Sequence, residues 1–133
     1  MRDLDVLAAI SLGGVCGALG RWWLEAAKPW NGPPDFPWAT FAINVSGCLL
    51  IGLLMWFVLE VWGPSRYARP FLGIGVLGGF TTFSTYSLEL RDMLATDAVV
   101  LAALYAVGTV LAGLLAVRVG AAIGQLVTRL GGR

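Results

Sequence analysis

The sequence predicts an all-α membrane protein of four transmembrane helices, with the third helix interrupted in mid-membrane. Three observations carry the prediction. Of 133 residues, 58% are hydrophobic and 13% charged, and mean hydropathy is +0.79. A soluble domain of this size leaves roughly a third of its surface in water and cannot hide that much apolar area. The apolar residues also fall into four long runs separated by short polar or Pro- and Gly-rich segments, the pattern of a multi-pass chain in a cell inner membrane or plasma membrane. Finally, residues 78–86 read Gly-Gly-Phe-Thr-Thr-Phe-Ser-Thr-Tyr. Glycines and hydroxyls at that depth make a poor plain anchor and a natural place for a helix to break.

The first span covers residues 4–24 and is relieved by Gly13, Gly14, Gly17 and Gly20. It follows a stretch that is not basic and ends in Gly-Arg-Trp-Trp rather than a small-residue cleavage site, so it reads as a retained span. Glu25, Lys28, Pro29, Asn31, Gly32, Pro33, Pro34, Asp35 and Pro37 form the connection. The second span, residues 38–62, is long enough to cross a ~30 Å hydrocarbon core with slight tilt. Trp38 and Trp62 stand where aromatic belts form, and Gly63-Pro64-Ser65-Arg66 closes the span. The third covers residues 70–88 and the fourth residues 98–117, followed by a weakly amphipathic tail carrying Gln125, Thr128 and Arg129. The short loops leave one membrane domain over residues 1–133.

Four spans place both termini on one side, with Arg2, Arg66, Arg69, Arg118, Arg129 and Arg133; Arg21, Lys28 and Arg91 lie on the other. The positive-inside bias is weak. A chain so balanced can insert both ways, which permits an antiparallel homodimer. Four short spans enclose little volume, so a conduit is more easily assembled from two copies, and a closed dimer is the default symmetry.

Composition excludes several functions. Net charge is +1 with scattered basic residues, which leaves no nucleic-acid footprint. Histidine is absent, and Cys16 and Cys48 lack metal-ligand spacing, which argues against zinc chemistry and a disulfide scaffold; both cysteines read as small buried apolar residues. No nucleophile–base pair is visible and no lysine lies within a span, so an enzyme is not expected.

The candidate functional residues cluster around the third span. Thr81, Thr82, Ser84, Thr85 and Ser87 offer hydroxyls, which either back-bond to carbonyls one turn earlier or line a buried break. Phe83 and Tyr86, three apart, share a face; they either pack or turn positive ring edges toward an anion. Asn44 is well inside the second span, as helix–helix glue or as a donor along a pathway. Tyr105, Thr109 and Gly113 recur every fourth residue on the last span, giving a short polar track or a Tyr hydroxyl bonded to a neighbouring helix. Arg21 either snorkels to the interface or attracts anions at a vestibule. Glu89 is expected to pair with Arg21 or Arg91, and a proton-coupling role is disfavoured by its position near a span end.

The chain resembles the small four-span fluoride channels of the CrcB/Fluc family. The resemblance rests on Gly14-Val15-Cys16-Gly17-Ala18-Leu19-Gly20-Arg21, on Thr40-Phe41-Ala42-Ile43-Asn44-Val45-Ser46-Gly47, and on residues 75–89 with their Gly-Gly-Phe-Thr-Thr-Phe-Ser-Thr-Tyr core. It implies a dual-topology antiparallel homodimer with two fluoride pathways. Asn44 would be the pathway asparagine and Phe83 the first ring of an aromatic pair. Thr82, Ser84 and Thr85 would contribute hydroxyls, Tyr105 and Thr109 the fourth-helix track, and Arg21 the vestibule cation. Gly78 and Thr81 would offer backbone carbonyls to a structural sodium ion (Na+) at the dimer centre. Tyr86 occupies the second ring position, usually phenylalanine. The competing readings are a proton-coupled exporter of small multidrug or guanidinium compounds, which needs a deeply embedded carboxylate, and a non-transporting membrane scaffold.

Overall fold

A computed structural model describes residues 3–58 and 66–131. The helices are α1 (Leu4–Ala27), α2 (Trp38–Trp56), α3 (Arg69–Leu77, extended by the turn Gly78–Phe80), α4 (Ser84–Ala95) and α5 (Val99–Leu130). Among the described residues there are four candidate spans, with α3 and α4 together forming the third, Arg69–Ala95. The protein is a multi-pass membrane protein. The expected second-span end at Trp62, residues 63–65 of its closing stretch, Arg2 and Arg133 lie outside the described residues.

Local sequence explains the boundaries. Pro37 precedes α2 and cannot donate to a preceding helical turn. α3 contains Pro70, Gly73 and Gly75 and is wound in π-type geometry over Arg69–Leu77, as expected where the α-helical ladder loses a donor and gains weak helix formers. At Thr81 the backbone turns extended, φ −75° and ψ 152°. It resumes as α4 and continues past residue 88 to Ala95. There Asp97 adopts a left-handed φ of 58°. Ala98 N–H bonds Met93 O at 2.9 Å and Asp97 N–H bonds Leu94 O at 3.2 Å, a Schellman-type stop. α5 runs unbroken through the expected tail to Leu130.

The helices pack as two parallel pairs through glycines. A methyl on Gly17 would strike the Val76 carbonyl and one on Gly79 the Gly14 carbonyl, joining α1 to α3. Gly52 meets Val117 and Gly120 meets Leu49, joining α2 to α5. Close backbone approach is how helices associate where lipid removes the hydrophobic driving force. Large apolar side chains such as Leu7, Leu19, Leu104 and Leu111 point outward, toward what would be lipid. At one end Tyr86, Met93, Ala102 and Tyr105 form a buried cluster, with Trp30, Phe36 and Phe41 packed on it. At the other, Asp5 accepts hydrogen bonds from Arg66 Nη2 (2.9 Å) and from the Tyr67 hydroxyl (2.7 Å).

Candidate functional site

The break at residues 81–83 leaves backbone groups outside any helix at a depth where an unpaired amide costs several kcal/mol. Asn44 supplies the missing partners. Its Nδ2 donates to Thr82 O at 2.9 Å, and its Oδ1 accepts from Thr82 N–H at 2.9 Å. The Thr82 hydroxyl accepts from Thr85 N–H (3.1 Å), donates to Thr85 Oγ1 (3.0 Å) and lies 3.3 Å from Ser84 Oγ, capping α4 from one position outside it. Thr81 Oγ1 back-bonds to Leu77 O at 2.9 Å. The break is therefore a splinted structure, and its positive helix end opens in mid-span.

Beside the break is a cavity of about 330 Å³. It brings together Asn44, Thr82, Phe83, Tyr86 and Thr109, and it also touches Gly78 and Thr81. The Phe83 and Tyr86 ring centroids are 5.7 Å apart with planes at 40°. Phe83 is 78% exposed, whereas Tyr86 is buried and donates its hydroxyl to Ala106 O at 3.0 Å. Thr109 is only 8% exposed, and its Oγ1 is buried with no hydrogen-bond partner. An unpartnered hydroxyl in a membrane interior costs about 1–3 kcal/mol.

A family model described as "CrcB-like protein, Camphor Resistance (CrcB)" matches residues 8–121. The chain belongs to the CrcB family. Among CrcB relatives, the "Fluoride-specific ion channel FluC 2" of Nocardia farcinica is 52% identical over 118 residues, covering 89% of this chain and 84% of its own. The "Fluoride-specific ion channel FluC" of Novosphingobium aromaticivorans is 45% identical over 90% of this chain and 96% of its own. That of Hyphomonas neptunium is 43% identical over 84% and 88%.

The remaining residues of this CrcB chain divide between two further places. Tyr105 is fully buried, its ring 5.1 Å from that of Tyr86. Its hydroxyl donates to Glu89 Oε2 at 2.6 Å, and Thr40 Oγ1 donates to Glu89 Oε1 at 2.7 Å. Glu89 is 6% exposed. It pairs with neither Arg21 nor Arg91, correcting the expectation, because the continuing α4 carries its side chain inward between α2 and α5. Glu89, Thr40 and Thr85 line a second cavity of about 300 Å³, with Glu25, Lys28 and Asp92. Ser84 is exposed beside Thr82.

Arg21 faces the far side of the break. Its Nε donates to Gly79 O at 3.2 Å, and Nη1 lies 3.7 Å from Glu25 Oε1. A guanidinium at the C-terminal end of α3 neutralises carbonyls that the helix leaves unpaired. Arg91 bridges Asp92 at 3.0 Å.

The expected sodium cofactor and metal-binding role are corrected. Among the described residues, no group of three or more His, Cys, Asp or Glu could hold a metal ion. Gly78 and Thr81 bring no carboxylate, the Thr81 hydroxyl is committed to Leu77, and both residues border the first cavity. Hard cations are held by many converging oxygens, usually with anionic charge among them.

Sequence reasoning missed Thr40 and Cys48, and misjudged Glu89. A signal was available: Thr40, Asn44 and Cys48 recur every fourth residue, mirroring Tyr105, Thr109 and Gly113 on the helix packed alongside. Cys16 is exposed rather than the small buried apolar residue expected, and Cys48 is half-buried.

Proposed function

We propose that this protein is a fluoride-specific ion channel, carrying fluoride passively down its electrochemical gradient and so lowering its concentration in the cytoplasm. Family membership and the names of the CrcB relatives support that activity, and these proteins are channels rather than enzymes. The observation that ties it to this chain is the cavity beside the splinted break, which gathers Asn44, the Phe83–Tyr86 ring pair and Thr109.

Fluoride is small and tightly hydrated, so a route must replace water with several donors without trapping the ion. Thr109 has a free O–H. Asn44 uses one N–H on Thr82 and keeps its second. Ring edges of Phe83 and Tyr86 add weaker positive contacts. Thr82, with its hydroxyl committed, shapes the break, and Thr85 and Ser84 extend the hydroxyl surface toward the second cavity. Tyr105, fully buried, holds Glu89 at the second cavity, while Arg21 draws anions toward the membrane face that holds the second cavity.

The functional unit in this reading is an antiparallel homodimer in the plasma membrane or inner membrane. Its support is the weak charge bias of the loops and the exposure of Phe83, a large ring at the cavity rim that a second copy would cover. A proton-coupled exporter is not favoured: Glu89 is embedded, but both of its oxygens are already bonded.

The test is efflux from liposomes holding the purified protein. Fluoride should leave far faster than from empty liposomes and chloride should not; equal rates for the two anions refute the proposal. Phe83→Ile should cut the flux sharply, and an unchanged rate removes Phe83 from the route.

A further inference from the structure

The connection between the first two spans carries charges and aromatic rings that the fluoride route does not use. It joins the end of α1 at Ala27 to the start of α2 at Trp38, so it lies at the level where hydrocarbon gives way to headgroups. Exposed Trp22, Trp23 and Trp38 mark the same level. The Trp30 indole N–H donates to Asp35 O at 2.7 Å, and Asp35 N–H donates to Gly32 O at 3.2 Å, which closes the loop on itself. Phe36 packs against Trp38 with ring centroids 4.5 Å apart.

These groups enclose a third cavity of about 340 Å³, with Lys28, Trp30, Asp35, Phe36 and Trp38 in its lining. Lys28 and Asp35 carry opposite charges on one cavity, yet neither forms an ion pair with the other or with any other described residue. Lys28 also borders the second cavity and does not pair with the carboxylates there. Opposite charges held apart around a shared space are complementary to a ligand that carries both signs itself. The rings of Trp30, Phe36 and Trp38 suit the cationic end of such a ligand, since an aromatic face attracts a cation. At the edge of a bilayer, the molecule that presents a cation beside an anion is a zwitterionic phospholipid.

We propose that this third cavity binds the headgroup of a zwitterionic phospholipid of the phosphatidylethanolamine type. The Lys28 ammonium meets the lipid phosphate as a point charge. The lipid ammonium lies against the aromatic rings and donates to the Asp35 carboxylate. The acyl chains leave past exposed Trp38 into the bilayer, and this tethering keeps the headgroup concentrated at the cavity. The site is separate from the splinted break, so it stands whether or not the chain conducts fluoride.

The experiment is native mass spectrometry of the full-length protein in detergent micelles, titrated with phosphatidylethanolamine or with phosphatidylglycerol. The glycerol headgroup keeps the phosphate and lacks the ammonium, so it should bind about tenfold more weakly. Asp35→Asn and Lys28→Gln should each weaken phosphatidylethanolamine binding by about tenfold. Arg129→Gln, at the far end of α5, should leave it unchanged. Equal binding of the two lipids by the unsubstituted protein overturns the proposal without any variant. So does undiminished phosphatidylethanolamine binding by either folded loop variant. Free phosphoethanolamine should not displace the lipid at equal concentration; displacement there would make the ligand a soluble zwitterion and overturn the lipid assignment.

Discussion

Asn44→Ala removes both side-chain hydrogen bonds to the Thr82 backbone, each 2.9 Å long, and nothing else in the break replaces them. Side-chain hydrogen bonds between membrane helices average about 0.6 kcal/mol, so two give a floor of about 1.2 kcal/mol. Leaving a buried N–H and C=O each unsatisfied costs about 1–3 kcal/mol, which sets a ceiling near 6 kcal/mol. Even the floor shifts the folding equilibrium about eightfold. Asn44→Asp keeps an acceptor for Thr82 N–H but loses, when ionised, the donor to Thr82 O, leaving an intermediate defect. Reversible unfolding in mixed detergent micelles gives the free energies, and liposome efflux gives the flux. Alanine should lower both, with aspartate between it and the unsubstituted protein in stability. An Asn44→Ala protein that loses flux but unfolds within about 0.5 kcal/mol of the parent would refute the splint, since that is below even the two-bond floor.

Thr109→Val keeps the shape and removes the unpartnered hydroxyl, so fluoride flux should fall about tenfold or more while stability holds or rises by about 1 kcal/mol; unchanged flux would remove Thr109 from the route. Tyr86→Phe deletes only the donor to Ala106 O, at about 1 kcal/mol or less of stability. Because that hydroxyl is turned to α5, flux should stay within about threefold, and its abolition would show that the hydroxyl meets the ion. Glu89→Gln leaves one amide oxygen where two carboxylate oxygens accepted, so Thr40 or Tyr105 loses its best acceptor and stability should fall by about 1–3 kcal/mol in the same unfolding measurement. Gly17→Ala places a methyl against the Val76 carbonyl and should separate α1 from α3, read as a fall in unfolding free energy of about 1–3 kcal/mol.

Much of this architecture is legible in the sequence, because one-dimensional signals carry it. Hydropathy gives four spans, and the glycines with Thr81 and Thr82 give the interruption. The four-residue recurrence of Tyr105 and Thr109 places both on the α5 face that meets α2. What the sequence conceals depends on which groups meet in space. Asn44 reads equally as glue or donor until both of its amide atoms are found on Thr82. Glu89 reads as a span-end carboxylate because helix formation resumes after the break and runs to Ala95, taking it inside. Arg21 finds the carbonyl of Gly79 rather than a carboxylate on α4, a partner with no side chain to announce it. The sodium expectation came from likeness to other chains, and the side chains near Gly78 and Thr81 do not support it.

The facing tracks on α2 and α5 have a built-in length. Four residues advance an α-helix about 400°, so each step carries a track about 40° past a full turn. From Thr40 to Cys48, and from Tyr105 to Gly113, each track swings about 80° while rising about 12 Å. One more step reaches Gly52 and Val117, and there the two backbones touch with no side chain between them. The drift ends where the helices close. In the proposed route, the stretch over which an ion would exchange water for the side chains of these two tracks is thus well under half of a ~30 Å hydrocarbon core. Over the remaining distance the ion would stay hydrated, so in this reading the work of selecting fluoride is confined to about two turns of α2 and α5 and the ring pair beside them.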